Sequence, residues 1–252
     1  ILTVELGDLR EGIMPEDLIN AAALVVATPG LVLNGIAANF ACMGNAAPTA
    51  NDMALLSRLA DQVEGECGPY VAQVSAGGSA SLDWALGNGA TGRINNLRLG
   101  EAILLGIDPV SGQRIDGLHT DAFTLFAEVI EVKLKPSSLP TRPSPLEYGK
   151  LELVSNVSQL YRSVLAIGRQ DTDASGLTFP TGIGFIGATS DHTVVDTGKA
   201  NVCVGSELKI GMNYSALMRA MSAPDVAKVV HHRQPVNGMG TDPRAQPFMR
   251  LV

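Results

Sequence analysis

The chain has no excess of basic residues: 18 Lys and Arg stand against 25 Asp and Glu, a net charge of −7. A nucleic-acid surface needs the opposite balance, so small-molecule chemistry is the better expectation and no nucleic-acid partner is foreseen. It also lacks a long apolar run. The most apolar stretch, 18–43, is broken by Pro29-Gly30 and Asn34-Gly35, short of the roughly 20 residues of a membrane-spanning helix. Cysteine is scarce and unpaired in pattern: Cys42, Cys67 and Cys203 are odd in number and form no CxxC. That argues against a zinc knuckle or a disulfide framework and for a reducing, cytoplasmic setting. The four histidines show no HxH or HxxxH spacing, so no metal site is expected. No initiator Met or leader precedes Ile1-Leu2-Thr3-Val4, and the sequence reads as opening inside a fold.

What is present is enough apolar material, 46% of 252 residues, to bury one large core or two modest ones. Four apolar, partly β-branched runs occupy 1–6, 31–38, 70–75 and 94–99. Between the first two, Pro15 sits where a helix begins, and Leu18, Ala21, Ala22 and Val25 keep helical spacing. Between the second and third, Thr49 and Asp52 form a capping-box pattern ahead of a stripe of Met53, Leu56, Leu59, Ala60 and Val63. Shorter helices are expected at 79–86 and 100–105. Repeated β-α units of this length demand a parallel sheet with right-handed crossovers.

The pattern changes near His119. Ile130, Val132 and Leu134 alternate with Glu131, Lys133 and Lys135 as in a half-buried antiparallel strand. Further strands are expected at 162–167, 183–188, 193–196 and 207–213. Four prolines between 136 and 145 mark a loop, and the Gly/Pro-rich stretch after His231 reads as a flexible tail.

In this order the segments RINNLRLGEAILLG (93–106), GLHTDAFTL (117–125), LAIGRQDTD (165–173), IGATSDHTVVD (186–196) and NYSALMRAM (213–221) resemble the fold-type III pyridoxal-phosphate-dependent amino-acid racemases, the alanine and ornithine racemase type. The resemblance implies an α/β fold: a partial (β/α)8 TIM-type barrel at 1–117, an antiparallel β domain at 118–230 and a tail at 231–252. In that family the first barrel strand carries the lysine that binds the cofactor. Ile1 corresponds to about mid-barrel, and none of Lys133, Lys135, Lys150, Lys199, Lys209 or Lys228 stands in the matching context. So read, the half barrel would expose an inner face bearing Leu2, Val4, Leu31, Leu33, Val71 and Leu97, and the chain alone would associate and be inert.

Pyridoxal phosphate needs an anion cradle, a partner for its pyridine nitrogen and bases on the faces of the substrate Cα. Ser75-Ala76-Gly77-Gly78-Ser79 follows a strand and opens a helix, with small residues that let backbone N–H groups approach an anion. The resemblance puts Ser79, the amides around Gly100 and Glu101, and the Tyr214 hydroxyl on the phosphate, and Arg98 on the pyridine nitrogen. Because arginine keeps its proton, it would leave that nitrogen unprotonated and weaken the ring as an electron sink. Tyr148 matches the second catalytic base. Asn39 stands where alanine racemases have a histidine that assists it, so the proton wiring must differ. Ser190 and Asp191 match a loop that reaches into the partner subunit's site near the substrate carboxylate, and Asp121, Asp171 or Asp173 could meet the distal amine of a basic substrate.

The expected function is racemisation of a small or basic amino acid by two-base proton transfer in a head-to-tail homodimer. Two alternatives remain: a non-catalytic or cofactor-binding fragment without the lysine, and a D-threonine-aldolase-like lyase, which would need metal ligands that the spacing does not supply.

Overall fold

Parallel pairing of short strands organises the first part of the chain. In the computed structural model, which describes residues 1–44, 46–87, 89–136, 159–231 and 248–251, β1 (Leu2–Val4), β2 (Gly35–Ala38) and β3 (Gln73–Ala76) lie side by side. Thr3 registers with Ala37, and Ala37 with Ser75. The expected fourth strand is reduced to one bridge, Ser75 to Asn96. Its backbone nevertheless continues the parallel pattern: Asn95 N–H donates to Val74 O (3.1 Å), Ala76 N–H to Asn96 O (3.0 Å) and Arg98 N–H to Gly77 O (2.8 Å). β2 and β3 approach so closely that a Cβ on Gly35 would lie 2.2 Å from Gln73 O, which only glycine tolerates.

Strand side chains alternate between faces. One set, Val4, Ile36, Ala38, Val74 and Ala76, packs with Leu18 and Ala22 of α1 (Leu18–Ala27) and with Met53, Leu56, Leu59, Ala60 and Val63 of α2 (Ala50–Cys67). The open apolar inner face is therefore not where the sequence suggested. Val4, Leu33 and Val71 belong to this helix-side core and the partly buried Leu2 and Leu97 pack against it, while Leu31 is 54% exposed outside any strand. The opposite face carries the row Thr3, Ala37, Ser75 and Asn96 instead. Alternation gives the period of a strand but not which of its two phases the helices will cover.

The helix ends follow local chemistry. The 3-10 turn Pro15–Asp17 leads into α1 with Pro at its start. In α2 the Thr49 hydroxyl accepts from Asp52 N–H (3.3 Å) while the Asp52 carboxylate accepts from Thr49 N–H (2.7 Å). The helix stops at Gly68, whose φ of 85° is the left-handed conformation. The helix expected at 79–86 divides into a 3-10 turn, Ser79–Ser81, and α3 (Leu82–Leu86). After the fourth pairing comes α4 (Glu101–Leu105).

The chain separates into two units, Ile1–Thr120 and Asp121–Val252. In the second, β4 (Phe123–Pro136) pairs antiparallel with both β5 (Gln159–Leu165) and β9 (Glu207–Met212). β6 (Leu177–Thr178) joins β9, while β7 (Gly184–Ala188) and β8 (Thr193–Asp196) form a hairpin beyond β5. Leu125, Ala127 and Val129 are the buried residues of β4, whereas Ile130 and Leu134 are 40% and 51% exposed. A register shift between Val129 and Glu131 accounts for the change of face. On the solvent side Lys133 and Lys135 draw the Glu131 carboxyl down to about 2. NYSALMRAM, read only as a motif, is helical: α5 (Tyr214–Ser222) is capped by Asn213, whose side chain accepts from Ala216 N–H (2.9 Å). β10 (Lys228–His231) pairs with β11 (Phe248–Leu251), a strand inside the stretch read as a tail.

Leu56 is fully buried between α2 and the sheet. Leu56→Ala should lower the unfolding free energy by about 2 to 5 kcal/mol and Thr49→Ala by about 1 kcal/mol, measured by urea denaturation. Equal effects of the two would contradict a core centred on that residue.

Candidate active site

The polar row of the sheet floors a concavity of ≈ 520 Å³ on the first unit, and Arg10, Glu11, Asn39 and Arg98 stand around it. Its floor is made by register: Thr3, Ala37, Ser75 and Asn96 are in-register partners on successive strands, so all four side chains leave the sheet on one side. Arg98 follows Asn96 by two residues and leaves on the same side.

Arg98 is held by three acceptors. Nη1 donates to the Ser75 hydroxyl; Nη2 donates to Ala38 O (3.1 Å) and to Asn39 Oδ1. Ser75 in turn donates to Asn96 Oδ1 (2.7 Å). The Asn39 amide nitrogen donates to Glu11 Oε1 (2.6 Å). Glu11 also takes both Arg10 Nε and Arg10 Nη2, the latter at 2.9 Å, and the Glu11 carboxylate holds the Arg10 guanidinium above its ordinary value. The loop that brings Arg10 and Glu11 here is folded by Glu5, whose carboxylate collects the N–H groups of Leu9 (3.0 Å), Gly7 (2.5 Å) and Arg10 (3.3 Å). Those backbone donors, Leu9 foremost, pull the Glu5 carboxyl below its usual value. Asp8 is buried and accepts from Cys42 N–H (2.6 Å) and Met43 N–H (3.1 Å), tying the same loop to the segment after β2.

The strand bearing Asn96 and Arg98 is fastened at its start. Arg93 Nη2 donates to Glu64 Oε1 (2.7 Å) and Val71 O (3.2 Å), and Nη1 pairs with Asp61. At its end, the Ser79 hydroxyl accepts from Gly100 N–H (3.3 Å) and Ala102 N–H (3.0 Å), so Ser79, Arg98, Gly100 and Glu101 are gathered around one turn. Gly77 has φ 70°, and a Cβ there would lie 3.0 Å from the Phe40 ring and 3.3 Å from Ser81 Oγ. Ser81 Oγ is buried with no hydrogen-bond partner. Burial, then the Asp108 charge, pushes the Glu101 carboxyl above the usual carboxylate range.

The other residues singled out from sequence lie in the second unit. Tyr214 is half-buried as the first residue of α5. Ser190 and Asp191 sit exposed in the β7–β8 turn, the Ser190 hydroxyl donating to Asp191 Oδ2 (2.6 Å). Asp171 accepts from Gly168 N–H (2.8 Å), and Asp173 from the Ser175 hydroxyl (2.6 Å) and Ser215 hydroxyl (2.7 Å). Both carboxylates accept hydrogen bonds within their own turns or from the start of α5. Tyr148 lies outside the described residues. Sequence reading missed Arg10, Glu11 and Asn96, and took Ser75 only as the start of the anion-binding turn, not as a partner of Arg98. Ser75 and Asn96 carried a signal, being polar residues at alternate positions within apolar strands. Arg10 and Glu11, on a loop, carried none beyond their charge.

The family model of the alanine racemase N-terminal domain matches residues 1–108. Over most of its length the chain is similar to the fold-type III, alanine-racemase-like family. It is 37% identical over 233 residues to a lysine racemase of Thermotoga maritima, covering 91% of this chain and 64% of that protein. With an ornithine racemase of Acetoanaerobium sticklandii it shares 33% identity over 234 residues, covering 90% of this chain and 66% of that one. The chain thus spans just under two thirds of the length of these relatives. The crystal structure of alanine racemase from Corynebacterium glutamicum superposes with a TM-score of 0.53 at 16% identity, over 82% of this chain and 55% of that one. The fold is accordingly α/β: part of a β/α barrel followed by an antiparallel β unit. No helix among the described residues is long and apolar enough to cross a membrane.

Since the folded Glu101 carboxyl titrates above its ordinary value of 4.5, folding is favoured by its protonated form. That contribution is complete below pH 4.5 and is lost as pH rises through the folded pKa. Glu101→Gln should therefore raise the thermal midpoint at pH 7, with the gain vanishing in acid. A pH-independent difference would mean that the carboxyl is not desolvated.

Proposed function

We propose that the protein containing this chain racemises a basic amino acid, lysine or ornithine, with pyridoxal 5'-phosphate as cofactor. The observation that carries the reading is the Arg98 guanidinium, fixed by Ser75, Ala38 O and Asn39 over a polar concavity. Similarity to two relatives named for basic substrates supports the substrate class.

The donor set fits the cofactor. An arginine can only donate, and three of the five Arg98 N–H groups are taken by protein, which leaves two for a ring nitrogen that can only accept. The glycine-serine turn 77–79 beside Gly100 has the small residues that let an anion approach backbone N–H groups. On this reading Arg98 would meet the pyridine nitrogen. Ser79 and the amides at Gly100 and Glu101 would meet the phosphate; Tyr214 is assigned to it by the family resemblance alone.

Bound pyridoxal phosphate supplies an electron-withdrawing system that acidifies the substrate Cα–H. The chain's own residues do the rest. Arg98 keeps its proton and so leaves the ring nitrogen unprotonated, which holds the electron sink weak and disfavours transamination. Arg10, on the rim, is the cation that a substrate carboxylate would meet; the family resemblance assigns Ser190 and Asp191 to the partner subunit's site. Tyr148 would hold or deliver the proton on one face of Cα; a hydroxyl with an ordinary pKa near 10 needs a cation or hydrogen bond beside it to act as a base. We place the enzyme in the cytoplasm, on the three unpaired cysteines, and infer a head-to-tail homodimer from the family resemblance.

The full-length protein should bind pyridoxal phosphate, show its visible absorbance and exchange the Cα proton of L-lysine or L-ornithine for deuterium, yielding both enantiomers. Arg98→Glu should shift the partition towards transamination. Failure of the full-length protein to bind the cofactor, or to exchange any amino acid, would overturn the reading.

A further inference from the structure

Glu11 is, among the described residues, the carboxylate that reaches both guanidinium groups of the concavity. It takes Arg10 directly through Nε and Nη2 and reaches Arg98 through the side chain of Asn39. The chemistry fixes the orientation of that link. An ionised carboxylate only accepts hydrogen bonds and a guanidinium only donates them. The Asn39 NH2 must therefore face Glu11, at 2.6 Å, and its oxygen must face Arg98. A flipped amide would set donor against donor and acceptor against acceptor. An aspartate in its place would repel Glu11, and a histidine could serve only as the one tautomer with its N–H towards Glu11.

We propose that Glu11, acting through the Asn39 amide, is the positioning residue for Arg98, and that the same carboxylate fixes Arg10, so that one side chain places both cations facing the concavity. The other two acceptors of Arg98, Ser75 Oγ and Ala38 O, belong to the strands themselves and follow from the sheet. The third depends on a loop residue 28 positions away in sequence from Asn39. Without Glu11 the Asn39 amide is free to rotate, Arg98 loses one of its three anchors, and Arg10 keeps only Asp8, at 3.4 Å from its Nε. This also accounts for an asparagine where the family resemblance predicts a histidine: at this position the side chain bridges an acid and a guanidinium. The inference rests on the reading of Arg98 as the partner of the cofactor's ring nitrogen.

The test uses the full-length protein with Glu11→Gln, Asn39→Leu, the double variant and the conservative Glu11→Asp. In apo protein, 15N-resolved NMR of the arginine side chains should give separate Nη resonances for Arg98 in the wild type. These should merge in Glu11→Gln and in Asn39→Leu. Titration with pyridoxal 5'-phosphate should show about tenfold weaker binding in each, the scale of one hydrogen bond to a charged group, with a shifted visible band and partial recovery in Glu11→Asp. Because both variants cut one link, the double variant should bind no more weakly than Asn39→Leu alone. Unchanged Arg98 resonances in Glu11→Gln, or additive losses in the double variant, would overturn the proposal. If Glu11→Gln does not fold, Asn39→Leu and Glu11→Asp decide by the same two readouts. A wild-type protein that binds no pyridoxal phosphate would defeat the proposed function, and the apo spectra would still decide the link.

Discussion

The in-register row Thr3, Ala37, Ser75, Asn96 is the constraint on which the first unit depends. In a parallel sheet whose other face is sealed by helices, every second residue is committed to the core. The alternate residues are presented together on the far side. The unit places its aliphatic residues on the helix side, with Ile36, Val74 and Val4 essentially inaccessible. The other phase carries short side chains, three of the four polar: Thr3, Ser75 and Asn96 beside Ala37. A concavity with hydrogen-bonding capacity follows from this division, and Arg98, two residues beyond Asn96, inherits its direction.

Charge is then arranged in two shells. At the start of the fourth pairing, Arg93 is clamped by Glu64, Asp61 and Val71 O; this pins the strand rather than presenting charge to a ligand. Around the concavity the order is different: carboxylate, amide, guanidinium, hydroxyl, amide, from Glu11 through Asn39, Arg98 and Ser75 to Asn96. Each link has a defined donor and acceptor, which makes such a chain directional and intolerant of isosteric changes. The Arg93 cluster contributes chiefly to stability, whereas the chain around Arg98 governs where a cation stands.

The second unit obeys the antiparallel rule that one face is buried and one is wet, with β4 pairing to both β5 and β9. Its turns consume carboxylates: Asp171 at Gly168, Asp173 at Ser175 and Ser215, Asp191 at Ser190. An acidic residue in a loop is as often a backbone acceptor as a ligand. Only coordinates distinguish the two.

From the sequence alone came the elements that local chemistry dictates. The Thr49/Asp52 box started α2, β8 occupied the residues expected of it, and the ordered motifs pointed to the alanine-racemase-like family. Those features depend on neighbours within a few positions, and a linear reading captures them. Ser79, Arg98, Gly100 and Glu101 were singled out through the family resemblance, and the structure gathers them around one turn. What the sequence left open was decided by contacts between distant segments. The phase of the sheet, with Leu2, Val4 and Leu97 turned to the helices, is set by which face those helices cover. Likewise the link from Glu11 to Asn39 joins a loop to a strand end, and the only trace it leaves in sequence is two polar residues 28 positions apart.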